Sequence, residues 1–277
     1  MRHFIRTAAT LLAAGGLLLI SAPVSAPALA AAGIVNAPRH VVPLGQAPHG
    51  NGHGHGGGGS TSTYGWASSN WSGYAVDTST YSSITGQWVV PTVSPAKGST
   101  YSSTWIGIDG FNNSSLIQTG TEQDYSGGSA QYYAWWEILP APETEITTST
   151  KDHVAPGDHM TAQIVNDGNG NWTITLSDTT QGWTFSPPPQ PYSGPATSAE
   201  WIEEAPTIGG HVATLANYGQ ATFNPGTVNG VNPGLVASDG GVMIQRNKQV
   251  STPSLPDSDT DGFNVAYGSV TPSAPAS

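Results

Sequence analysis

The run Trp172-Thr173-Ile174-Thr175-Leu176 places a large apolar side chain at every second position, with a threonine between each pair. Successive strand side chains point to opposite faces, so this alternation predicts a half-buried β-strand with Trp172, Ile174 and Leu176 inward. Short β-patterned runs bounded by turn residues recur at 84–90, 101–108, 131–138, 159–165, 200–204, 242–245 and 263–267. The mature chain offers no convincing amphipathic helix between them. Many short strands without intervening helices predict an all-β fold, an antiparallel sandwich or barrel, over residues 66–270. All nine tryptophans fall between Trp66 and Trp201, inside that span.

The flanks read differently. Arg2 and Arg6, the apolar run 8–20 and the small-residue site Ala28-Leu29-Ala30 have the layout of an export signal over residues 1–30, which predicts a secreted, extracellular protein. The apolar run is short for a membrane span, so no membrane association is expected after cleavage. Residues 31–65 include HGNGHGHGGGG at 49–59 and read as a Gly/His-rich linker or propeptide, because such a chain cannot repay its ordering entropy. A Ser/Pro/Ala tail at 271–277 is expected to be disordered. Beyond residue 30, five Lys and Arg stand against 18 Asp and Glu, a net charge of −13, which argues against nucleic acid or anionic membrane as partner. The chain has no cysteine, hence no disulfide framework, and a domain of roughly 200 residues can do without one.

The familiar catalytic signatures are missing: there is no G-x-S-x-G elbow, no H-E-x-x-H and no Asp-Thr-Gly or Asp-Ser-Gly turn. Two segments remain, SLIQTG at 115–120 and SAEWIEEAP at 198–206. Strand alternation puts Glu200, Ile202 and Glu204 on one face and Trp201 and Glu203 on the other. Three carboxylates in five residues repel one another in a half-buried strand, so composition alone predicts an exposed edge strand. The functional alternative is a cleft in which one glutamate is tuned as a proton carrier. Gln118, in its short apolar segment, is either a surface amide or a neutral donor to a developing oxyanion.

Five stretches in order resemble the glutamic peptidase, or eqolisin, family: SNWSGY at 69–74, TWIGIDG at 104–110, LIQTG at 116–120, YAWWEILP at 133–140 and AEWIEE at 199–204. The resemblance implies a concanavalin-like sandwich of two antiparallel sheets, one bent into a substrate cleft. It also implies Gln118 and Glu204 as the catalytic dyad, with Trp71, Trp105, Asp109, Glu122, Trp135 and Glu137 binding substrate or supporting the dyad. Glu122 stands where the family's best-known member has aspartate, and Leu139 replaces a tyrosine. Bland readings exist for each: packing aromatics, a turn aspartate before Gly110, a solvent-facing Glu137.

The expected reaction is attack of water on a peptide carbonyl, with Glu204 as general base and Gln118 as oxyanion donor, in acid and without a cofactor. Peptides or proteins are the expected partners, and a monomer the expected state. The alternatives are a glycoside hydrolase using Glu137 and Glu204, or a non-catalytic sugar- or peptide-binding module. Asp257-Ser258-Asp259-Thr260-Asp261-Gly262 matches the opening of a calcium loop, but Gly268 occupies the twelfth position, where a bidentate glutamate belongs. A polar hairpin turn without metal is the expectation there. Asn70, Asn112, Asn113 and Asn171 open N-x-Ser/Thr sequons.

Overall fold

The computed structural model describes residues 63–146 and 153–277. The expected export signal and nearly all of the expected linker lie outside the described residues. In chain order the strands are β1 Trp66–Ser68, β2 Trp71–Val76, β3 Ser83–Val89, β4 Ser103–Ile108, β5 Ile117–Ser126 and β6 Ser129–Ile138. They continue with β7 Thr144–Glu145, β8 His159–Asn166, β9 Asn171–Asp178, β10 Trp183–Phe185, β11 Gln190–Pro191 and β12 Ala199–Glu204. The last are β13 Thr207–Ile208, β14 His211–Val212, β15 Gln220–Val228, β16 Gly240–Gln245, β17 Lys248–Pro253 and β18 Phe263–Tyr267. A single 3-10 turn, Ala237–Asp239, is the sole helical element among the described residues. No helix there is long and apolar enough to cross a membrane.

Hydrogen bonds join the strands in the order β10-β9-β8-β3-β15-β18-β17-β16-β2-β12-β4-β5-β6-β7, antiparallel throughout, with β1 added in parallel to β16. This ribbon doubles back into two layers. Trp201 on β12 donates its indole N–H to the Thr85 carbonyl on β3 at 2.8 Å, and Trp88 on β3 donates to Thr121 Oγ1 on β5 at 3.0 Å. Trp88, Trp201, Ile84, Ile106, Ile108, Ile164, Ile174 and Leu176 fill the space between the layers. Burying each such side chain contributes about 1.5–3 kcal/mol, and the predicted inward set of β9 belongs to this core.

Trp201 needs a bay in the opposite layer. Gly86 and Gly226, register partners on β3 and β15, provide it. A Cβ at Gly86 would stand 2.9 Å from Trp201 Cδ1, and one at Gly226 2.8 Å from Trp201 Nε1.

All eight runs read as strands lie on strands. The edge-strand expectation for 200–204 is overturned, since β12 pairs with β2 on one side and β4 on the other and is buried at every residue. Its carboxylates are distributed over both faces and embedded there, so composition mistook central for peripheral. β15 lies outside those eight runs, and a register shift between Phe223 and Gly226 accommodates Pro225 within it. The tail 271–277 has no regular secondary structure, yet it is tied down. Asn264 Nδ2 donates to the Ser273 carbonyl and Asn224 Nδ2 to the Ala276 carbonyl, each at 2.8 Å.

Candidate active site

Residues directly opposite one another in an antiparallel sheet share a face. Following the register across β2, β12, β4, β5 and β6 therefore yields rows of neighbouring side chains. One row is Trp71, Glu204, Ser103, Glu122 and Tyr133; the next is Gly73, Ile202, Trp105, Gly120 and Trp135. The third is Ala75, Glu200, Gly107, Gln118 and Glu137. Trp71, Trp105, Gln118, Glu122, Trp135, Glu137 and Glu204 thus project from one face, opposite the face that packs on the other layer.

A second apolar cluster occupies this face, formed by Trp71, Trp105, Leu116, Trp135 and Ile202. Trp71 and Trp105 meet edge to face, with centroids 4.9 Å apart and planes at 76°. Trp135 Nε1 donates to Ser103 Oγ at 3.2 Å. Gly120 must lack a side chain, because a Cβ there would lie 2.5 Å from Trp105 Cβ.

Glu204 is fully buried and held at both oxygens. Asn70 Nδ2 donates to Oε1 at 3.2 Å, and Trp105 Nε1 donates to Oε2 at 2.9 Å. Asn70, which opens a sequon and lies in the SNWSGY stretch, had no expected role at the dyad; it is 1% exposed, and its amide serves the glutamate. Gln118 is equally buried. Its Nε2 donates to Glu137 Oε2 at 2.6 Å, while Oε1 is buried with no hydrogen-bond partner. Two strand spacings and four residues separate Gln118 from Glu204, roughly 16 Å between Cα atoms on a flat sheet. Trp105 spans that interval. Its Nε1 lies at Glu204, and its Cζ3 lies 2.8 Å from where a Gly107 Cβ would be, beside Gln118 in the register.

Carboxyl groups crowd this face. Burial pushes Asp124 well above the ordinary carboxylate range, and the charge of Glu122 adds to that rise. Glu200 is raised by burial first, then by Asp109 and Asp77. Both Glu200 oxygens are buried without a hydrogen-bond partner.

Asp109 departs from the expected supporting role at the dyad. It follows β4 with φ of 70° and accepts from Tyr192 Oη at 2.7 Å, Ala196 N at 2.8 Å, Thr197 N at 2.9 Å and Asn113 Nδ2 at 2.8 Å. Its carboxylate anchors the chain entering β12 rather than meeting Gln118 or Glu204.

Compared with known proteins, the model of the peptidase A4 family matches residues 69–267. Aspergillopepsin-2 of Aspergillus niger is 28% identical over 215 residues, 67% of this chain and 73% of that protein. Scytalido-glutamic peptidase, solved with a transition state analog inhibitor, superposes with a TM-score of 0.61 at 22% identity, covering 72% of this chain and 98% of that one. SCP-B, an eqolisin solved with the tripeptide Ala-Ile-His, gives 0.55 at 21% identity, over 72% and 98%. These structural likenesses carry the fold, a β-sandwich.

Proposed function

The chain belongs to the peptidase A4 family, and we propose that it is a secreted acid endopeptidase in which Glu204 and Gln118 act together on a peptide bond. The observation that carries the reading is the shared face: Glu204 and Gln118 stand on either side of the Trp105 indole, each fixed by its own partners. Ionised Glu204 takes a proton from water as the water oxygen bonds to the carbonyl carbon. Gln118 Nε2 has a second hydrogen beyond the one given to Glu137, and this hydrogen meets the oxyanion. Its unpartnered Oε1 accepts from the water and helps to hold it. Glu204 then returns the proton to the amide nitrogen as the C–N bond breaks, so no acyl-enzyme forms.

The export signal motivates the extracellular assignment, and the net charge of −13 beyond residue 30 favours peptides over nucleic acid as partners. The mechanism requires neither metal nor cofactor, and a monomer suffices because this chain alone supplies both groups. A glycosidase would use Glu137 and Glu204 as its pair, but Gln118 already engages Glu137. Cleavage of an unfolded protein at acid pH by wild type and Gln118→Ala separates the two. A fall of about 10²–10³-fold in kcat is expected for a lost oxyanion donor. Full peptide turnover in Gln118→Ala, or hydrolysis of oligosaccharides by wild type, would refute the assignment.

A further inference from the structure

The turn between β17 and β18 gathers three aspartates that the peptidase reaction does not use. Asp257, Asp259 and Asp261 each offer a carboxylate oxygen, all within 4.8 Å of one another. Oxygens bound to one calcium ion lie no more than about 4.6–5.2 Å apart, given Ca–O distances of about 2.3–2.6 Å. The spread fits one calcium sphere.

A merely polar turn would aim these carboxylates at water. Asp257 is instead only 5% exposed. Its Oδ1 accepts the amides of Asp261 and Gly262, each at 3.2 Å, but its Oδ2 is buried with no hydrogen-bond partner. Asp261 Oδ1 is buried and unpartnered as well. Buried carboxylate oxygens are normally satisfied, and two orphans within one trio of aspartates call for a cation.

The turn is also held in place from outside. Gly226 N donates to the Asp261 carbonyl at 2.8 Å, Leu235 N to the Thr260 carbonyl at 2.9 Å, and Asn232 Nδ2 to the Asp259 carbonyl at 2.6 Å. Oxygen-only ligands select a hard cation, and three carboxylates leave room for water in the sphere. We propose that Asp257, Asp259 and Asp261 bind one calcium ion that holds the β17–β18 turn in its folded form. The missing glutamate at Gly268 excludes an EF-hand, not a calcium site, because the ligands here come from the turn itself.

The test uses the full chain, treated with chelator and exchanged into buffer near pH 6.5, with calorimetric titration and melting in CaCl2 or MgCl2. Wild type should show saturable one-site heat with Kd of about 10⁻⁴–10⁻³ M, as in extracellular calcium modules. Its Tm should rise by several degrees at 10 mM calcium and by less in magnesium. Asp259 is exposed, so Asp259→Asn should stay folded, bind calcium at least about tenfold more weakly and melt higher than wild type without calcium, through relieved repulsion. No saturable heat in wild type, an unchanged response in Asp259→Asn, or equal effects of magnesium would overturn the proposal.

Discussion

Trp105 connects the site's two functional groups, because its N–H holds Glu204 and its ring reaches the glycine beside Gln118. Trp105→Phe keeps an aromatic ring but removes the donor, leaving Glu204 Oε2 without that bond. A lost hydrogen bond to a charged group is worth about 1.5–3 kcal/mol, so kcat should fall by about 10- to 100-fold. Peptide kinetics beside a melting curve will separate this loss from unfolding. At this scale the sequence was partly legible. Motif order marks Gln118, Glu204 and Trp105, whereas Asn70 lies 134 residues from Glu204 and only strand register brings its amide there. Asp109 shows the converse, since a turn aspartate and a cleft aspartate look alike until four donors are seen converging on it.

Among the elements, β12 carries the site on one face and the buried core tryptophan Trp201 on the other. Its position was misread because alternation assigns faces but does not say how many neighbours a strand has. The bay for Trp201 makes the point testable. Gly226→Ala would place a methyl 2.8 Å from Trp201 Nε1 and 2.9 Å from Cε2. Overpacking of this kind costs about 1–3 kcal/mol. A lowered urea midpoint with unchanged slope is expected, and Trp201→Phe in the same chain should recover part of it. β15 carries no clear β pattern in sequence, and Pro225 and Gly226 sit at a strand irregularity within it.

Across the whole molecule, buried acids set the pH at which the fold is most secure. Burial raises Asp124, Glu200 and Glu203 well above their ordinary values of 3.8 to 4.5. The folded state therefore holds these protons at pH values where the unfolded chain releases them. Stability is fully present below about the unfolded values and falls as pH rises through the elevated folded ones. Melting temperature should decline from pH 4 towards pH 8. Glu203→Gln should flatten that decline, because Glu203 lies away from the site face, with Thr104 Oγ1 donating to its Oε2 at 2.7 Å. A melting temperature that instead climbs steadily towards neutrality would contradict the burial account. Fold class was legible at this scale from strand spacing alone, while the burial of so many acids was not, because composition treats Glu as a surface residue. The most direct measurement compares cleavage of an unfolded protein at acid pH by wild type and by Glu204→Gln, with matched melting curves. Loss of the general base should lower kcat/KM by about 10²–10⁴-fold in a chain that remains folded; full activity in folded Glu204→Gln would remove Glu204 from the reaction.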